Sequence, residues 1–247
     1  MCLLAFSEIR TQAESKFSEK LNMNSFQLGL GLVLGFVLVS CVDLKKFDDT
    51  ENATLSTDEV YKQFPDIRPL WEGKHRDGTL WTNHTLVQLT KIDAGLLTTQ
   101  PTDANLFCPN YENLDKNQRK YFWAFIISMM VRFESNFDPR LSYQEDFNDS
   151  SGNPVISRGL LQISFESSKG YDCGFTSDEQ VHDPYLNLSC GINILNRWIP
   201  ADKSIAGFVG SNWRGGARYW SVLRAAHKES YKTIVEKSSQ LSFCRKP

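Results

Sequence analysis

The sequence predicts a mainly α-helical domain stapled by two disulfides, with at most a small β-hairpin near Ser150 to Ser164. Three observations carry this prediction. Apolar residues recur at steps of three and four in several segments, and no series of alternating apolar and polar residues marks a set of strands. Four cysteines, Cys108, Cys173, Cys190 and Cys244, remain once Cys2 and Cys41 near the front are set aside. The 247 residues, 41% hydrophobic, suffice for one sizeable core, and no internal repeat divides them. With 27 Lys and Arg against 29 Asp and Glu, no strong field recommends nucleic acid as a partner, and a monomer is expected.

The first element is LGLGLVLGFVLV, Leu28 to Val39, an apolar run of twelve residues. A bilayer-spanning helix needs about 20 residues, so the run fits the apolar stretch of a signal peptide, with Arg10, Lys16 and Lys20 before it. It ends Leu38, Val39, Ser40, Cys41, which resembles the lipobox of bacterial lipoproteins. That resemblance implies cleavage before Cys41, lipid on its thiol and a membrane tether outside the cytoplasm, periplasmic or at the outer membrane. Val42 in place of Asp after the cysteine favours the outer membrane. Residues 1–40 are thus read as a leader. Residues 42–68 are rich in Asp, Glu, Thr and Lys, the composition of a solvated linker, so 41–68 is the anchor with its tether and 69–247 the folded domain.

Within that domain Leu86, Leu89, Ile92 and Leu96 recur at helical spacing. A clearer helix follows over 117–133, where Phe122, Phe125, Ile126, Met129, Met130 and Phe133 share a face and Asn136, Asp138 and Pro139 supply the stop. Asp183 to Ile199 is another, with Leu186, Cys190, Ile194 and Trp198 on one stripe, and Tyr219 to Lys237 a third. The cysteine spacing offers no CxxC pair, so no metal site is expected. Three disulfide connectivities are open. We favour Cys173 with Cys190 and Cys108 with Cys244, because the first closes a short loop worth about 3 kcal/mol in the chain-entropy model.

Glu134 stands four and eight residues after Met130 and Ile126, at the edge of the apolar face. Desolvation there disfavours ionisation and keeps a carboxyl protonated near neutral pH, as a general acid requires. On these residues alone, a glutamate capping or bridging a helix end is the favoured reading. The surrounding motifs reverse it. FESNFDP followed by SRGLLQIS resembles the paired motifs of the lytic transglycosylase and goose-type lysozyme superfamily. NLSCGINIL and ESYKTIV, in the family's order, extend the resemblance over roughly residues 117–237. The resemblance implies a lysozyme-like helical fold, Glu134 as catalytic acid, and Ser135, Gly159, Leu160, Leu161, Gln162 and Tyr231 at the sugar-binding cleft. It also implies peptidoglycan glycan strands as substrate, with no cofactor. GFVGSNWRGG, Gly207 to Gly216, replaces an AYNAG-like turn, and Phe165 and Glu166 replace a proline after the glutamine motif, so subsites are remodelled.

The second reacting group is sought in two places. Asp146, in a stretch with Glu145 and Asp149, follows Glu134 at an interval similar to that of an auxiliary aspartate in goose-type lysozymes. His227 precedes Tyr231 by four residues, hence on the same helical face. Hydrolysis is thereby favoured over ring closure to anhydro-muramic ends, with His227 and Asp146 assisting Glu134. An acidic cleft edge would also suit amino sugars with free amines. The alternatives are a lytic transglycosylase and a non-catalytic wall-binding lipoprotein. The intact glutamate, serine and glutamine speak against the latter. Asn52, Asn83, Asn148 and Asn187 open N-x-Ser/Thr triplets that a bacterial source leaves unglycosylated, and His75 and His84 are read as surface residues.

Overall fold

A computed structural model describes residues 56–91 and 95–246. The leader, the lipidation position Cys41, the front of the linker and Ile92 lie outside the described residues. The described chain is mainly helical with small antiparallel sheets, as the sequence predicts. In chain order its helices are α1 (Thr57–Gln63), α2 (Gly78–Lys91), α3 (Gly95–Thr98), α4 (Ala104–Phe107), α5 (Lys116–Ser135), α6 (Phe165–Ser168), α7 (Pro184–Asp202) and α8 (Lys228–Ser239). Strands β1 (Ser142–Asn148), β2 (Pro154–Arg158) and β3 (Ile163–Ser164) form one sheet in that order, and β4 (Phe208–Val209) with β5 (Asn212–Trp213) a separate hairpin. No described helix is long and apolar enough to cross a membrane.

Helix α5 is the axis of the core. Every residue from Tyr121 to Val131 is buried, so the helix is covered all round, with α2, α3 and α8 among the elements packed on it. Its start is a capping box, in which Asp115 accepts from Gln118 N and the Gln118 side chain accepts from Asp115 N. Its end is a left-handed turn in which Asn136 and Phe137 have φ of 50° and 67°. Asparagine tolerates that conformation. A phenylalanine is strained there and is held by burial of its ring.

Sequence and structure part company at four places. Residues 56–68 of the expected linker are folded: Ser56 and Glu59 form a capping box, and Val60, Tyr61 and Ile67 are buried. Leu70 N donates to Ser128 Oγ at 3.0 Å, tying the segment to α5. A polar composition conceals a few apolar residues that land on one side. The sheet begins earlier than expected, because β1 is exposed along nearly its whole length and so shows no apolar alternation. Its turn is closed by the Asp149 carboxylate, which accepts from Ser151 N and Asn153 N, each at 2.8 Å. The stripe on α7 is broader than drawn, and Leu186 is 39% exposed while Leu188, Ile192 and Leu195 are buried. Finally, the helix expected from Tyr219 starts only at Lys228. Residues 215–223 form 3-10 turns instead, because the buried Trp220 indole donates to Leu161 O at 2.8 Å and holds the chain across the cleft.

Both favoured disulfides are present, Cys108–Cys244 and Cys173–Cys190, each with Cα atoms 4.7 Å apart. The first is reinforced by Asn110, whose backbone N–H donates to Cys244 O at 3.0 Å. Two glycines set close approaches. At Gly191 a Cβ would overlap the Leu161 side chain, and at Gly159, with φ of 75°, it would lie 2.5 Å from Val181 O.

Candidate active site

The end of α5, the β1–β2 hairpin, the turn through Gln162 and the segment 218–224 enclose a cleft of about 600 Å³. Glu134 projects into it from the last turn of α5, half-buried, and its carboxyl has no hydrogen-bond partner among the described residues. Burial, aided by the negative charge of Glu145 and opposed by Arg224, pushes Glu134 up to about 8. A carboxyl so placed is protonated at neutral pH and has its proton available to whatever enters the cleft.

Glu145 faces the cleft from β1, where Ser157 Oγ on the neighbouring strand donates to its Oε1 at 2.6 Å. Asp146 is exposed and does not line the cleft, since adjacent strand residues point to opposite faces. His227 is the exposed N-cap of α8, also away from the cleft. Tyr231 packs edge-on against Phe107, ring centres 6.0 Å apart, and Tyr219 holds the position beside the acid. The Tyr219 and Ser167 hydroxyls share a 2.6 Å hydrogen bond. Burial above all, with the Glu134 charge among lesser causes, pushes Tyr219 up to about 12.

The motif residues divide by role. Leu160 and Leu161 are fully buried behind the cleft wall, and Ser135 is buried with its hydroxyl donating to Val131 O at 3.2 Å. Gly159 supplies the turn that precedes Gln162. Gln162 lines the cleft with φ of 47°. Its Nε2 donates to Gly159 O at 2.8 Å and Leu141 O at 3.1 Å, which leaves Oε1 buried with no partner. Glu166 Oε2, on α6 in the same wall, is likewise buried without a partner. Two orphan acceptors in a cleft wall call for donors on a ligand or water. Arg224 completes the site, its Nε donating to Ala217 O at 2.9 Å and its Nη2 to Arg218 O at 3.2 Å.

Sequence reasoning did not choose Glu145 over its neighbours and missed Glu166 and Arg224 as site residues. For Glu145 the signal existed, since it stands in the polar stretch after Glu134, but the choice between neighbouring carboxyls needs the strand's orientation. Among the described residues no group of three or more His, Cys, Asp and Glu is arranged to hold a metal.

No protein-family model matches the chain, and no curated protein does. Among solved structures, it is similar to Bd0314 DslA of Bdellovibrio, in its wild-type form and in two variants that each carry one Glu-to-Gln replacement. Each is 57% identical, with 73% of this chain and 99% of that chain covered and a TM-score of 0.71. The two glutamates replaced there lie eleven positions apart, as do Glu134 and Glu145 here. At that identity and coverage, the chain belongs to the family of Bd0314 DslA.

Proposed function

We propose that the protein is a glycosidase that cleaves the glycan backbone of peptidoglycan between amino sugars, with Glu134 as general acid and Glu145 as its partner. The observation that carries the proposal is a carboxyl with no internal partner, held protonated near neutral pH by burial, in one cleft with a second carboxyl. The matching interval between the two glutamates replaced in Bd0314 DslA supports the same pair. Glu134 gives its proton to the glycosidic oxygen as the bond to the anomeric carbon breaks. The positive charge that develops on the sugar is stabilised by Glu145, which takes a proton from the water that attacks that carbon. Hydrolysis is preferred over ring closure because a second carboxyl faces the acid to activate water. Two disulfides suit an oxidising compartment, in keeping with export and a lipid tether at Cys41.

The test is digestion of purified peptidoglycan sacculi, with mass spectra of the soluble products. We expect reducing-end muropeptides from the intact protein. Glu134→Gln should lose about 10²-fold to 10⁴-fold in rate, because the amide keeps the shape and has no acidic proton to give. Products with only anhydro-muramic ends would make the protein a lytic transglycosylase. No release by the intact protein, or full release by the folded Gln variant, would overturn the assignment.

A further inference from the structure

The β4–β5 hairpin falls within Gly207–Gly216 and contributes no residue to the cleft lining, yet it presents apolar side chains to solvent. Phe208 and Val209 stand 55% and 61% exposed at its tip. Phe208 is paired with Trp213 across the ladder, the rings 4.5 Å apart and tilted by 48°. Its base is fixed by two carboxylates. Asp103 accepts from Ser204 Oγ, Ile205 N and Ala206 N at 2.9, 2.7 and 2.8 Å. Asp202 accepts from Gly215 N at 2.7 Å and Arg218 Nε at 2.6 Å. The hairpin touches the cleft wall through one contact. The Arg224 guanidinium lies 5.6 Å from the Trp213 ring centre, and Arg224 lines the cleft and acts on Glu134.

We infer that Phe208 and Trp213 form a stacking platform for a saccharide of the same glycan strand, beyond the bond that is cut. This rests on the glycosidase reading. A pyranose ring presents a face of C–H bonds that an aromatic pair can bury while the hydroxyls at its rim stay in water. A strand cleaved within the cleft must run on past its mouth, and the contact with Arg224 sets Trp213 next to one residue of the cleft wall. Because the base is already anchored, the platform binds with little cost of ordering. Its contribution is to the binding of long strands and leaves the proton transfer at Glu134 to the cleft residues.

The experiment uses the Glu134→Gln protein, which holds glycan without cutting it, and purified peptidoglycan glycan strands fractionated by length. Dissociation constants are measured by calorimetry, with and without Phe208→Ala, and with Val209→Ser as a second exposed change. We expect long strands to bind more tightly than short ones, and Phe208→Ala to weaken long strands about two- to tenfold. Short strands should be weakened less, so that the advantage of length shrinks. An unchanged long-strand affinity overturns the inference, as does equal weakening of long and short strands. So does an effect of Phe208→Ala confined to self-association in sedimentation or to binding of phospholipid vesicles. If the Glu134→Gln protein binds no glycan strand, the glycosidase reading falls and the platform with it. Glycan binding that ignores Phe208 removes the platform alone.

Discussion

At the scale of the residue, burial raises the acidity constant of Glu134 and two charges of opposite sign adjust it, each with a separable effect. On the proposed mechanism Glu134 acts in its protonated form, so kcat/KM is expected to fall as pH rises through about 8. Glu145 raises Glu134, hence Glu145→Gln should move the falling limb to lower pH as well as slow the reaction. Arg224 lowers it, and Arg224→Gln should move the limb to higher pH. The check is the pH profile of kcat/KM for the three proteins on soluble glycan. A limb that stays in place in both variants would mean that burial alone sets the acid. Neither partner was recoverable from spacing: Asp146 and His227 satisfy interval arguments, but a strand face and a helix start carry them away from the cleft. Gln162, singled out by its motif, lines the cleft. Its orphaned oxygen, by contrast, shows only when every polar contact around it is known.

At the scale of the element, the glycine and cysteine positions couple segments that sequence distance keeps apart. Gly191 lets α7 touch Leu161, whose backbone O also receives the Trp220 indole, so the helix, the glutamine turn and the cleft-side segment meet there. Gly191→Ala forces the Leu161 side chain to move and should cost about 1–3 kcal/mol, read as a lower midpoint in urea unfolding. A stability equal to that of the unaltered protein would show that the turn gives way freely. The disulfides belong to the same scale. Thiol titration of unreduced, denatured protein beginning at Ser56 should find none of Cys108, Cys173, Cys190 and Cys244 free, and two or more reactive thiols would contradict the pairing. Breaking one bridge should cost about 2–4 kcal/mol. Helices α5 and α7 were legible because long apolar periodicity and capping residues agree. Strand β1 was not, because an exposed strand leaves no periodic trace.

At the scale of the whole molecule, the chain ahead of Pro69 closes the core against its own C-terminus. Phe64 meets Phe243 with ring centres 5.7 Å apart, Tyr61 meets Tyr121 at 5.9 Å, and Asp66 accepts from Ser242 Oγ at 2.6 Å. Protein starting at Pro69 should therefore melt several degrees below protein starting at Ser56, as a loss of about 1 kcal/mol or more in a domain of this size gives. Equal melting temperatures would restore the segment to the role of a tether. By itself, the sequence determined the helical class, the four cysteines available for two disulfides and the position of Glu134 at the end of a buried helix, because periodicity, cysteine count and capping are local. Only the tertiary structure decided which carboxyl faces that acid, which tyrosine stands beside it, and that the folded part reaches back to Ser56. Those depend on which face of β1 turns to the cleft, on Trp220 holding residues 215–223 out of a helix, and on a few apolar side chains finding the core. Such pairings are made across the fold, between residues whose neighbours in the chain give no sign of them.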